Sequence, residues 1–192
     1  MCKSNFLDKA YVFLSQEIAA KRVEDEAAKA ANSGLTELVP YSPAFRRMVT
    51  GELNELIESD DDYKIGRHPL QGDTLKTKEV FIVGGITIGT ANNATEVDPE
   101  TLSYVTPTAL AFLHGEVVLS VADKVVFAMG IKDIVREQEK SETGIFDLRG
   151  VMKLINPKES IQITVRTPKT VALPADSNYI EVTLHGIKTQ VK

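Results

Sequence analysis

A chain of 192 residues is long enough for one sizeable hydrophobic core with an appendage. With 43% hydrophobic and 26% charged residues its composition is that of an ordinary globular protein. A net charge of −5 with no basic block speaks against general nucleic-acid binding, which needs clustered cations. The single cysteine, Cys2, excludes an internal disulfide and a cysteine-based zinc site.

The opening Met1-Cys2-Lys3-Ser4-Asn5-Phe6 has no basic segment followed by an apolar core, and no glycine at position 2. Neither a secretory signal nor myristoylation is therefore expected, and no apolar run reaches the ~18 residues of a membrane span. Residues 4 to 33 read as one long helix, with Ser4 as N-cap and Phe6, Ala10, Phe13, Leu14 and Ile18 as its apolar stripe. Beyond Ile18 the stripe thins into alanines, which favour helix but bury little. Glu17–Lys21 and Asp25–Lys29 are spaced as stabilising pairs, and Gly34 stands where a left-handed residue would end the helix. The stripe has two readings: packing within its own domain, or an arm laid on a neighbouring subunit.

Ser42-Pro43 reads as the start of a second helix, with Phe45, Met48, Val49, Leu53, Leu56 and Ile57 as its apolar face. Arg46 and Arg47 on its first turns are either solvated charges or contacts to a phosphate or carboxylate. A helical arm over 1–58, a polar connector over 59–73 and a β domain over 74–192 follow from the shift in composition.

The β domain opens with Glu79 to Thr90, where Gly84-Gly85 between β-branched runs predicts a tight hairpin. A phosphate-cradling reading of these glycines needs a helix after them, and a strand pattern follows instead. Residues 91–107 read as loop. Glu116–Val121 and Val125–Met129 flank Ala122-Asp123-Lys124 as a second hairpin. Ile131–Val135 continues as strand or turn, and 136–144 reads as an exposed charged loop. Short strands are expected at 145–148, 151–155 and 171–173, with a turn at 156–159. Ile161–Arg166 and Ile180–His185 alternate apolar and polar without a fault. That puts Ile161, Ile163, Val165, Ile180, Val182 and Leu184 on buried faces. Many short strands with almost no helix between them predict an antiparallel sandwich or barrel.

Chemistry-bearing residues are scattered. His68, His114 and His185 form no metal-ligand spacing, and the His-x-His pair of an enzymatic cupin is missing. Ser120 and Ser160 lack a nucleophile signature. Asp60, Asp61 and Asp62, and Glu137, Glu139 and Glu142, sit in polar stretches and read as solvated charge. With no tryptophan and 6% aromatics, a stacking platform for sugars or bases is poorly supported. No catalytic residue, metal or cofactor is expected, and the chain is expected not to be an enzyme.

Three stretches carry a resemblance: Gly115 to Ile131, Leu154 to Pro168, and Tyr179 to Ile187. They resemble strands of the single jelly-roll capsid proteins of tailless, membrane-containing icosahedral bacterial viruses. The resemblance implies a mainly β jelly roll of about eight strands behind an N-terminal helical extension. It also implies a virion protein that self-associates into a shell in the host cytoplasm and meets other virion proteins or an inner membrane layer. In such families the N-terminal arm ties subunits together, which makes Phe6, Ala10, Phe13, Leu14 and Ile18 the expected subunit interface. One departure is that residues 1–40 are charge-balanced where arms that meet a genome are basic, so direct nucleic-acid binding is not expected. The rival reading is a non-enzymatic binding module: a fibre, an adhesin or a carbohydrate-binding sandwich.

Overall fold

A computed structural model describes residues 2–59, 64, 69–70, 72–148 and 152–191, with side chains from residue 8 onward. The chain is a mainly β, antiparallel two-sheet sandwich with an N-terminal helical extension. Its elements are α1 (Cys2–Ala19), α2 (Asp25–Asn32), β1 (Thr36–Tyr41), β2 (Ala44–Met48), β3 (Leu53–Glu55), β4 (Phe81–Asn93), α3 (Leu110–Leu113), β5 (Glu116–Val121), β6 (Lys124–Gly130), α4 (Ile131–Lys140), β7 (Phe146–Asp147), β8 (Lys153–Ile155), β9 (Ile161–Arg166) and β10 (Ser177–Val191).

One sheet runs β1–β10–β4–β7, with β2 also on β10 and β8 also on β4; the other runs β3–β9–β5–β6. The alternating segments do what their pattern demands. Ile180, Val182 and Leu184 of β10 and Ile161, Ile163 and Val165 of β9 are buried in one core between the sheets. Phe45, Phe81, Val83, Ile86, Ile88, Val117 and Leu119 complete that core, and Ile131, Ile134 and Val135 of α4 join it. The β5–β6 hairpin forms as expected, its two-residue turn placing Ala122 (φ 49) and Asp123 (φ 61) in the left-handed region.

Several expectations are corrected. The long helix over 4–33 is two helices. Lys21 (φ 56) ends α1, with its N–H bonded to the Ile18 carbonyl and the Arg22 N–H to that of Glu17. Gly34 (φ 70) ends α2 the same way, through Gly34 N–H to Ala31 and Leu35 N–H to Ala30. Both are Schellman ends, and only the glycine one was visible in composition.

The helix expected over 42–57 is strands β2 and β3. Its apolar residues fit helical spacing, but Phe45 pairs with Val182 and faces the core, as a strand residue does. A turn at Thr50-Gly51 then reverses the chain. Asn54 holds that turn: its Oδ1 accepts the Thr50 N–H at 3.0 Å and its Nδ2 donates to the Gly51 carbonyl at 2.8 Å. Because β1 and β2 pair with β10 and β3 with β9, the sandwich begins at Thr36. The expected boundary in 59–73 thus runs through it.

Gly84-Gly85 is no hairpin. β4 continues through it as one strand of 13 residues, and Gly84 is the extra residue of a β-bulge between the pairs Gly85–His185 and Val83–Gly186. Finally, 131–140 is helix α4 instead of strand and loop, because Ile131, Ile134 and Val135 give it a buried stripe. Residues 171–173 form no strand.

Replacing Leu184 with Ala should lower unfolding stability by about 2–5 kcal/mol, the usual range for a buried leucine truncated in a close-packed core. Val182→Asp should leave no soluble folded protein, since it buries an unpaired carboxylate. A Val182→Asp chain as soluble and heat-stable as the parent would show that this face assignment is wrong.

Candidate functional site

The first candidate surface is the outer face of the β10–β4 sheet. Val80, Ile82 and Ile187 point away from the sandwich core, and α1 and α2 cover them. Ala10, Leu14, Val23 and Ala27 are buried there, with Phe13, Ile18, Leu38, Met152 and Leu154 packed around them. The residues expected to reach a neighbouring subunit therefore spend their surface on their own sheet. This corrects the arm reading for Ala10, Phe13, Leu14 and Ile18; the Phe6 side chain lies outside the described residues. The physical reason is competition, since the sheet offers an apolar patch within reach of the helix.

Polar contacts pin the bend between the helices to the β8–β9 turn. Asn156 donates from Nδ2 to the Arg22 carbonyl at 3.0 Å and accepts the Glu24 N–H at 3.3 Å; Lys158 pairs with Glu24 at 2.9 Å. Glu17, expected to pair with Lys21, instead holds Arg22 at 2.8 Å, because Lys21 has left the helical path.

Farther along the same face lies a polar cluster that periodicity could not assemble. Arg46 on β2 meets Glu181 on β10 at 2.6 Å, and its guanidinium lies 5.2 Å from the ring centre of Tyr104. Tyr104 can lie there because Gly89 beneath it has no side chain: a Cβ would come within 2.9 Å of Tyr104 Cβ. Burial pushes the Tyr104 phenol up to about 12, against the opposing pull of Arg46, so it stays neutral and donates to the Pro99 carbonyl at 3.0 Å. His185 bridges Thr87 Oγ1 (3.0 Å) and Ser42 Oγ (3.2 Å), and burial lowers its pKa below the ordinary 6.5.

The third feature is an acidic end of the sandwich with two hollows. One, of about 300 Å³, is lined by Glu55, Glu58, Ser59, Asp73, Asp123 and Ser160, among others. The other, of about 660 Å³, is lined by Arg47, Met48, Glu58, Glu96, Asp98 and Tyr179, among others. Arg47 borders the second hollow, reaching Glu58 at 2.8 Å and the Glu55 carbonyl at 3.0 Å. Both arginines thus contact carboxylates, though within the chain.

Other singled-out residues stay apart. His114 is an exposed residue at the end of α3; Ser120 lies on the outer face of β5 opposite Gln162. Glu137 and Glu139 ride on helix α4 instead of a loop, while Glu142 lies in the exposed turn after it. His68 and Asp60 to Asp62 lie outside the described residues. Among the described residues, no three potential metal ligands converge.

Two expected outcomes follow from the outer face. Removing residues 1–34 uncovers Val80, Ile82 and Ile187, so the truncated chain should melt several degrees lower and bind an apolar dye that the full chain does not. Equal melting of both would show the helices to be a dispensable tail. For His185, the lowered pKa means that the unfolded chain binds the proton more readily than the folded one. The stability that neutral His185 gives is complete above about pH 6.5 and is lost as pH falls below it. Between roughly pH 7.5 and pH 5 the parent melting temperature should therefore fall more than that of His185→Gln, measured by calorimetry.

The chain matches no protein-family model. A comparison with curated proteins likewise finds no match.

Proposed function

We propose that the chain is a structural protein of a virion, a single jelly roll that builds an icosahedral shell by subunit–subunit assembly. The observation that carries this reading is strand order. If β1 and β2 are counted as one interrupted strand, and β7 and β8 as another, the strands cross from sheet to sheet at every connection except the β5–β6 hairpin. That is the path of two nested Greek keys, the pattern of capsid and lectin jelly rolls.

Two further features support it. Helices cover one sheet's outer face, while the outer face of the other carries Leu53, Glu116, Ser120, Gln162 and Arg166, all exposed or half-exposed. Such a brick has one closed side and one side open to a neighbour. The polar residues gathered so far also act on their own chain, as ion pairs and edge contacts, which suits a part whose work is done by surfaces.

Light scattering and electron microscopy of the purified full chain test this. Large homo-oligomers or closed shells are the expected result. A monomer at every accessible concentration would overturn the reading, and glycan binding by such a monomer would favour a binding module in its place.

A further inference from the structure

Three side chains on the outer face of the β10–β4 sheet form a chain of polar contacts. Ser42 lies at the junction of β1 and β2, His185 on β10 and Thr87 on β4. The backbone fixes all three. Pro43 holds Ser42 to extended conformations, and its carbonyl accepts the Leu184 N–H at 3.1 Å. On the other side the ladder pairs Thr183 with Thr87 and His185 with Gly85, so Thr87 stands diagonal to His185 on the same face.

The contacts have the order of an activated hydroxyl. His185 Nε2 lies 3.0 Å from Thr87 Oγ1, and its Nδ1 lies 3.2 Å from Ser42 Oγ. Neutral imidazole in water favours the proton on Nε2. In that tautomer Nε2 donates to Thr87, and Nδ1 accepts the Ser42 hydroxyl proton. Ser42 is exposed and His185 half-buried, so a reagent reaches the hydroxyl while burial keeps the imidazole neutral. The side chains bonded to His185 from β4 and from the β1–β2 junction are uncharged. Of the ionisable groups on this face, Glu181 and Tyr104 lie against Arg46, and Asp147 of β7 lies beyond Gly85.

We propose that Ser42 is a nucleophile set up by His185, and that it takes an acyl group from an activated ester or thioester. Ser42 Oγ bonds to the acyl carbon, and its proton passes to His185 Nδ1. The bond from that carbon to the leaving oxygen or sulfur then breaks, and the leaving group carries the proton away. Thr87 is a positioning residue that holds the proton on Nε2. The class of donor follows from the next residue in the chain. Many hydrolases steady the tetrahedral oxyanion with the N–H of the residue after the serine, and Pro43 has none. Donors with a good leaving group are therefore the ones that react, and the product is an acylated Ser42 instead of rapid turnover. This chemistry is independent of shell assembly.

The full chain incubated with p-nitrophenyl acetate from about pH 5 to about pH 8, and read by peptide mass spectrometry, tests the proposal. Ser42 should be acetylated roughly tenfold or more faster than Ser59 and Ser103, which are also exposed. Its rate should rise with pH and level off above about pH 6.5, where His185 is neutral, whereas an unassisted hydroxyl keeps gaining with hydroxide. His185→Gln keeps hydrogen-bonding groups but no base, and should lower the Ser42 rate to that of Ser59, with folding checked by circular dichroism. Thr87→Val should slow the labelling, and Thr87→Ser should keep it. Equal rates at the three serines of the parent, a rate with no plateau, or full Ser42 labelling in a folded His185→Gln chain would each overturn the proposal.

Discussion

The fold depends on one close approach, that of β10 to β4 at Gly186. A Cβ on Gly186 would run into the Ile82 carbonyl and come within 2.7 Å of the Phe81 ring. With no side chain there, the Phe81 ring tucks against β10 and stacks edge-on with Tyr41, its centroid 5.1 Å away. The bulge at Gly84 is the compensation. It inserts one residue into β4, so odd-numbered Phe81 and Val83 face the core before it and even-numbered Ile86 and Ile88 after it. The carbonyl it frees is taken by the Leu148 N–H at 3.0 Å. This ladder sets both cores at once: Ile180, Val182 and Leu184 point between the sheets, and Ile187 points to the helices.

That same switch of parity explains what could be read from the sequence. Segments with one wet face and one dry face were legible, because alternation has a single solution: Ile161–Arg166, Ile180–His185 and the β5–β6 hairpin all stand where their pattern put them. β4 was not. It is apolar on both faces because it is covered on both, and a bulge within an unbroken apolar run leaves the same glycine pair as a turn. The β2–β3 segment failed for another reason. A five-residue strand, a turn and a three-residue strand set Phe45, Met48, Val49, Leu53, Leu56 and Ile57 at spacings a helix would also give, although Leu53 is exposed and Phe45, Val49, Leu56 and Ile57 are the buried ones. Only pairing with β10, far away in sequence, decides between them.

Nor could the outer-face cluster have been found by pattern. Arg46 comes from β2, Thr87 from β4, Glu181 and His185 from β10 and Tyr104 from a loop, and they meet only because the β2–β10–β4 register brings them together. The one local cue was glycine. Gly85 and Gly89 are strand positions where Ile145 and Tyr104 lie directly on the backbone, at 2.6 Å and 2.9 Å from a notional Cβ. A glycine spaced regularly through an apolar strand signals something lying across it more often than a turn.

The polar residues also divide the surface into what is finished and what is open. Gln138 presents an amide to Ile88 with the donor and acceptor of a missing strand residue. Arg47 does half of that for the Glu55 carbonyl, and Asn54 supplies both groups to the Thr50-Gly51 turn. Each neutralises backbone that burial or an edge would otherwise leave unsatisfied, at a site where an orphaned group would cost about 1–3 kcal/mol. Side chains of this kind look functional in a sequence, being polar, isolated and set among apolar neighbours, yet here they close the molecule off. By the same logic the seven-residue β6 edge stands out, because among the described residues no side chain closes it.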